Sequence, residues 1–313
     1  MSLLTKPTPQ SQGRHKRWLG PAAWAAAAVV ALAAVVIFAR WARELAPIQD
    51  FLLQFPGHSE LPANAPVGIP AWLSWQHFLN AFFLVLIIRS GWQVRTTARP
   101  KAYWTRKNTG LLKTKTKPAK ISLELWFHLS VDVLWLLNGA VFVILLFATG
   151  AWMRIVPTSW DIFPNALSAG LQYASLSWPV ENGWVYYNAL QVLAYFAVVF
   201  IAAPLAAITG LRMSPAWPKE KIALSKALPI EMARKIHFPV MVFFSGFVIM
   251  HVALVLCTGA LANLNHMFAA RQDAGWLGFG IFAASLAVMV GACFMARPLF
   301  LRPIAGTMGK ISK

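Results

Sequence analysis

The chain alternates between long apolar runs and short polar connections. A hydrocarbon core of about 30 Å takes roughly 20 helical residues to cross. Six runs reach that length, near residues 21–40, 72–94, 122–150, 184–211, 236–261 and 275–296. The pattern predicts an all-α integral membrane helical bundle of about six transmembrane helices. Pro204 predicts a kink in the fourth span, and Gly246 permits close helix approach in the fifth. Trp18, Trp24, Trp41, Trp72, Trp75, Trp184 and Trp276 fall near predicted span ends, as interfacial aromatic belts do. No internal repeat interrupts this plan.

Composition agrees: 58% hydrophobic residues, 12% charged residues and a mean hydropathy of +0.57 lie outside the range of ordinary soluble domains. A net charge of +18 raises the question of nucleic acid. That partner needs a basic folded face, whereas these charges fall between apolar runs, so no nucleic-acid partner is expected. Cys257 and Cys293 sit far apart in apolar runs and suggest neither a disulfide framework nor paired-cysteine metal ligation.

The distribution of Lys and Arg sets the orientation. The segment 95–120 carries nine basic residues and no acid, and with the N-terminal tail, 212–235 and the C-terminal tail the total on one side is 23. The alternate loops, 40–71, 151–183 and 262–274, hold only Arg40, Arg43, Arg154 and Arg271. Both termini are therefore expected to be cytoplasmic. The sequence RHKRW before the Ala-rich first run also fits a signal peptide. The run from Pro21 to Ala39 is longer than a usual signal core, and FARWARE is a poor cleavage site, so a retained span is expected.

Against this background the stretch RKIHFPVMVFFSGFVIMHVALV at 234–255 is unusual, because it sets His237 and His251 fourteen residues apart in an apolar helix. That spacing advances about 21 Å and falls about 40° short of four full turns, which puts both rings on nearly one face at two depths. Ionisable groups inside a membrane are costly and usually mark function. Two imidazoles so placed suit one wall of a bundle that ligates two stacked haems. Two further histidines fall within spans, His77 near the start of the second and His128 near the start of the third. From the orientation, His77 and His251 share the outer level, and His128 and His237 the cytoplasmic one. Depth alone thus pairs His77/His251 and His128/His237 as axial ligands. The chain has no C-x-x-C-H, which excludes covalent c-type haem, so two haem b are expected. The alternative is isolated buried histidines that hydrogen-bond neighbouring helices. His15, His58 and His266 fall in predicted tails or loops and are expected to face solvent, His266 being the one substitute outer ligand. Pro239 leaves open whether His237 stands on the helix or at its lip.

Longer ordered stretches carry a family resemblance: QHFLNAFFLVLIIRSG at 76–91, ARPKAYW at 98–104, FHLSVDVLWLLNGAVFV at 127–143, YNALQVLAYFAVVFIAAPLAAITGLRMSPA at 187–216 and ARKIHFPVMVFFSGFVIMHVALVLCTG at 233–259. From about 72 to 262 the chain resembles the bacterial cytochrome b561 and Ni-hydrogenase b-subunit superfamily, which includes formate dehydrogenase gamma and thiosulfate reductase cytochrome b subunits. The resemblance implies a four-helix core with two haems b, and its ligand roles fall on His77, His128, His237 and His251 in the same pairing. It implies three regions: 1–71 with the cytoplasmic tail, first span and outer loop, a dihaem core at 72–262, and 263–313 with a last span and tail. The added first span would turn the core over relative to the formate dehydrogenase subunit. A narrower likeness, in the IRSG and YW elements, is to cytochromes associated with molybdopterin oxidoreductases. The implied setting is a bacterial inner membrane.

Arg89 is the one Arg or Lys well inside a predicted span, and either binds a propionate of the cytoplasmic haem or snorkels to the headgroups. Arg234, one turn before His237, is a second propionate candidate, although a surface charge is the simpler reading. Asp132 lies one turn after His128, where it could hydrogen-bond in the haem pocket, pair with Arg89 or deliver protons to a quinone; the charged pair with Arg89 is its simplest structural account. Asn80, Asn138, Asn188 and Gln191 read as interhelical hydrogen-bonders. Tyr186, Tyr187 and Tyr195 fit packing or a quinone pocket equally well.

The expected function is an electron-transfer subunit rather than a self-contained enzyme, since no nucleophile triad, carboxylate pair or phosphate loop appears. It would pass electrons across the bilayer between a partner, by the resemblance a periplasmic molybdopterin oxidoreductase, and the quinone pool. The expected direction is from the partner through the His77/His251 haem and the His128/His237 haem to quinone, and the alternative is the reverse, from quinol to a periplasmic reductase. The rivals are a proton-coupled transporter and a non-redox membrane anchor subunit.

Overall fold

A computed structural model of the chain describes residues 16–109, 113, 117–178, 182–218 and 222–313, with side chains from Gly20 onward. Lys6, Arg14, His15, Lys115, Lys219 and Lys221 of the basic segments lie outside the described residues. In chain order the helices are α1 (Lys16–Arg43), α2 (Ala46–Gln54), α3 (Ala71–Thr96), α4 (Leu123–Ala148), α5 (Ile162–Ala174), α6 (Ala189–Phe196), α7 (Ala203–Met213), α8 (Ile222–Ala227), α9 (Ile230–Cys257), α10 (Ala260–Ala269), α11 (Leu277–Met295) and α12 (Pro298–Met308). Strands β1 (Tyr103–Arg106), β2 (Lys120–Ser122) and β3 (Gly309–Ser312) form one small antiparallel sheet in the order β2-β1-β3. The protein is an all-α bundle apart from that sheet. Among the described residues six helical stretches are long and apolar enough to cross a membrane: Gly20–Arg43, Ala71–Thr96, Leu123–Ala148, Ala189–Met213, Ile230–Cys257 and Leu277–Met295.

Two compact units form. One takes in Met1–Ser59, Asp161–Val180 and Asn188–Leu190. Within it, α1 leaves Val29, Leu32 and Ile37 about two-thirds exposed, the surface expected of a helix that faces lipid. The last turn of α1 is tied to the end of α5: Arg40 Nε donates to Ser175 O and Arg43 Nη1 to Ser175 Oγ, both at 3.0 Å. Asn165 of α5 accepts from Gly57 N at 3.0 Å and fixes the chain that follows α2.

The other unit takes in Glu60–Trp160, Glu181–Tyr187 and Gln191–Lys313. Its spans are α3, α4, α6 continued into α7, α9 and α11. Asn138 Nδ2 donates to Asn80 Oδ1 at 3.1 Å and joins α4 to α3, as expected of these residues. Proline accounts for the irregular fourth span. The ring of Pro204 has no N–H and crowds the carbonyl four residues back. The helix widens into a π-helical turn over Ala197–Ala202 just ahead of it. Pro239 has a milder effect, because α9 begins at Ile230 and carries both His237 and Pro239 inside it. His237 therefore stands on the helix, not at its lip. The carbonyl freed by Pro239 belongs to Lys235, which is exposed, so the loss costs little there.

The described residues at the two ends of the basic segment after α3 are in regular structure. Those ends form β1 and β2, and the C-terminal β3 pairs with β1 so that Trp104 stands opposite both Ile121 and Ile311. Ser122 then caps α4 by accepting from Leu125 N at 3.1 Å. Trp104 Nε1 donates to Ala305 O at 3.0 Å, and a cluster of Ala102, Leu123, Trp126, Leu301 and Ala305 fixes α12 against this end of α4. Gly309 is held to glycine by close approach, since a Cβ there would stand 2.2 Å from Trp104 Nε1. Gly309→Ala should detach the C-terminal strand while the spans stay folded. Limited proteolysis should then cut the C-terminal tail faster, with an unchanged far-ultraviolet spectrum.

Candidate functional site

The four membrane histidines come together in two pairs. His77 of α3 faces His251 of α9 with ring centroids 6.2 Å apart, and His128 of α4 faces His237 of α9 at 6.5 Å. Because α9 is one continuous helix, the two pairs are separated along it by about 21 Å. The space between is packed: Val240 and Phe244 of α9 are buried with Ala202, and Trp135 sets its ring edge against Phe244.

These spacings can be tested against a shared metal. A metal–imidazole bond is about 2 Å and the ring centroid lies about 1 Å behind the nitrogen, so two imidazoles on one iron have centroids about 6 Å apart. Both pairs match. Among the described residues no group of three or more His, Cys, Asp or Glu converges that could hold a bare ion. Two imidazoles suffice only where the metal arrives with its own equatorial donors, as in haem. The donor set of each pair therefore fits a bis-histidine haem.

The surroundings of the two pairs differ. Near the basic end of the bundle, His128 Nδ1 lies 2.9 Å from Ser90 Oγ of α3, and His237 Nδ1 lies 2.9 Å from Thr209 Oγ1 of α7. His128 Nε2 stands 3.6 Å from Asp132 Oδ2, beyond hydrogen-bond length. The other pair is walled by aromatic rings. Phe247, one turn before His251, stacks on it at 5.5 Å, Tyr195 meets it edge-on at 5.9 Å, and Phe268 of α10 meets His77 edge-on at 5.6 Å. Nδ1 of His77 is buried without a hydrogen-bond partner among the described residues.

Beyond this pair, Tyr187 packs against Tyr195, and the Arg154 guanidinium lies 4.6 Å from the Tyr187 ring centre. Burial pushes the Tyr187 phenol above its ordinary range, against the opposing pull of Arg154. Arg154 is itself buried, donating to Gly68 O and, at 2.8 Å, to Gly183 O. Gly68 has a φ of +91°, and a Cβ there would meet Trp184 at 3.0 Å, so glycine is required on both counts.

Several sequence expectations change. Arg89 Nη1 donates to Gln93 Oε1 at 3.1 Å, while Asp132 sits beside His128, so the two do not form the expected charged pair. The physical reason is reach: the long Arg89 side chain extends toward the basic end, away from Asp132, which lies one turn deeper than His128. Arg234 is exposed on α9. His266 is buried rather than solvent-facing. Its ring packs on Trp184 at 5.5 Å and its Nε2 lies 3.2 Å from Gln272 O. Ser90 and Thr209 carry no role in the sequence-based expectations, and Arg154 counts there only as a loop charge. The available signal was a hydroxyl followed by glycine, Ser90-Gly91 and Thr209-Gly210, near the basic end of two spans.

The chain is 27% identical over 195 residues to a protein of Azospira oryzae provisionally named protein-methionine-sulfoxide reductase subunit YedZ1. The match covers 59% of this chain and 88% of that protein. No family model and no solved structure matches the chain.

Proposed function

We propose that this chain is a dihaem b-type cytochrome subunit of an inner-membrane redox complex, with both termini cytoplasmic, built on a core spanning residues 72–262. The observation that carries the reading is the meeting of four intramembrane histidines as two pairs whose ring centroids are 6.2 and 6.5 Å apart. The resemblance to b561-type cytochromes supports it, as does the likeness to a protein named as a reductase subunit. Haem supplies one-electron chemistry when bound; the protein supplies ligands, spacing and electrostatics.

The residues have these parts. His77 with His251, and His128 with His237, each offer two ring nitrogens to one iron. The single helix α9 holds both pairs at fixed separation across the membrane. Phe247, Tyr195 and Phe268 keep water from the periplasmic pair, and Val240 and Phe244 fill the interval. Arg89 and Arg234 are the cationic side chains proposed as partners for propionates at the cytoplasmic end. Electrons pass between the quinone pool and a partner oxidoreductase subunit of the periplasmic molybdopterin type. The name of the Azospira oryzae relative supports the direction from quinol toward a reductase.

The test is turnover in proteoliposomes. A quinol analogue on one side should reduce the bound haem, and a membrane-impermeant acceptor on the other side should reoxidise it. A coloured protein that no quinol reduces would instead be an anchor subunit, and a colourless one would fit a proton-coupled transporter.

A further inference from the structure

Ser90 and Thr209 repeat one arrangement on two different helices. Each is fully or almost fully buried, and each places its hydroxyl oxygen 2.9 Å from Nδ1 of a histidine on another helix, Ser90 with His128 and Thr209 with His237. Each hydroxyl also donates to a carbonyl of its own helix, Ser90 to Ile87 at 3.1 Å and Thr209 to Leu205 at 2.5 Å. A glycine follows each, and a Cβ on Gly91 or Gly210 would stand 3.2 or 3.4 Å from Cε1 of the same imidazole. Serine and threonine in apolar helices ordinarily bond only a carbonyl one turn back. The second bond to a ring nitrogen, and the glycine that admits the ring, go beyond that habit.

The direction of these bonds follows from where the single hydroxyl hydrogen goes, and a carbonyl of the same helix stands within reach of each oxygen to take it. A hydroxyl has one hydrogen and two lone pairs. With the hydrogen given to the carbonyl, the oxygen accepts from Nδ1–H, so the ring proton sits on Nδ1 and Nε2 keeps its lone pair for a metal. We propose that Ser90 and Thr209 are paired positioning residues that lock His128 and His237 in the Nε2-ligating tautomer and lower the redox potential of that haem relative to the other. This rests on the dihaem reading above. An acceptor at Nδ1 makes the imidazole a stronger donor, which favours the oxidised iron. In the other pair, His77 Nδ1 has no such acceptor among the described residues. An electron that enters at the cytoplasmic pair then moves to higher potential as it crosses, which agrees with flow from quinol toward a reductase.

The experiment is an optical redox titration of the purified full-length holoprotein, with electron paramagnetic resonance of the oxidised haems, on wild type, Ser90→Ala, Thr209→Val and Thr209→Ser. Ser90→Ala and Thr209→Val should each raise the lower of the two midpoint potentials and shift the same low-spin signal, with the higher component unchanged. Thr209→Ser keeps the hydroxyl and should restore the wild-type potential. Unchanged potentials in Thr209→Val, or equal shifts in Thr209→Val and Thr209→Ser, would overturn the proposal by making the side chain's shape rather than its hydroxyl responsible. If Ser90→Ala does not fold, the Thr209 variants decide alone. Failure of the dihaem reading is visible separately, as a wild-type protein without two haem components to titrate.

Discussion

His237→Ala is expected to remove one haem and His251→Ala the other, each variant keeping a single, spectrally distinct haem. Both residues stand on α9, yet they face partners on different helices, His128 on α4 and His77 on α3. Loss of an axial ligand leaves one imidazole against a buried macrocycle, a larger defect than loss of an outer partner, which itself costs roughly 10–100-fold in metal affinity. Double variants sharpen the pairing. His128→Ala with His237→Ala should be no worse than either alone, whereas His77→Ala with His237→Ala should lose both haems. Haem content per chain and the shape of the reduced alpha band check both statements. A single variant that loses both haems equally, or neither, would contradict the pairing.

Gly278→Ala should be the most damaging substitution away from the histidines. The backbone of α11 approaches α10 so closely that a Cβ at Gly278 would stand 2.3 Å from Asn265 Cα. The opposing atoms are backbone and cannot rotate away, so the two helices must separate. Asn265 is fully buried there, accepting from Gly278 N at 2.8 Å and donating to Asp273 O at 2.8 Å, and separation would strand these groups. Overpacking in a close-packed site typically costs about 1–3 kcal/mol and occasionally more. The effect reaches the site through Phe268, three residues after Asn265 on α10, which abuts His77. Thermal unfolding should begin at lower temperature, with loss of the His77/His251 haem ahead of the other. Gly280→Ala is the control, since none of the described residues lies within 4 Å of a Cβ there, and it should behave as wild type.

The spans were legible because lipid demands about 20 consecutive apolar residues, a pattern visible without knowing what packs on what. The irregularity at Pro204 was legible as a position but not in form, because a kink and a π-helical turn both relieve the same clash. The sheet was not legible: β1, β2 and β3 are three or four residues long, and β1 finds its β3 partner about 200 residues away in sequence. Helical spacing puts His237 and His251 on one face, and each meets a histidine of another helix. Side-chain direction is not visible in the span pattern. That gap makes Arg89 read as a partner for Asp132, although Arg89 reaches the other way, to Gln93 at the basic end. The same gap hides Ser90 and Thr209, since hydroxyl residues are common in membrane helices and acquire meaning only when a facing ring is known.

The central claim is that the two histidine pairs each hold a haem. Haem b quantified per polypeptide in the purified wild-type protein, with spin state read from electron paramagnetic resonance, tests it most directly. The account predicts two haems per chain, both low-spin with bis-histidine ligation; a protein with no haem, or with only one, would contradict it.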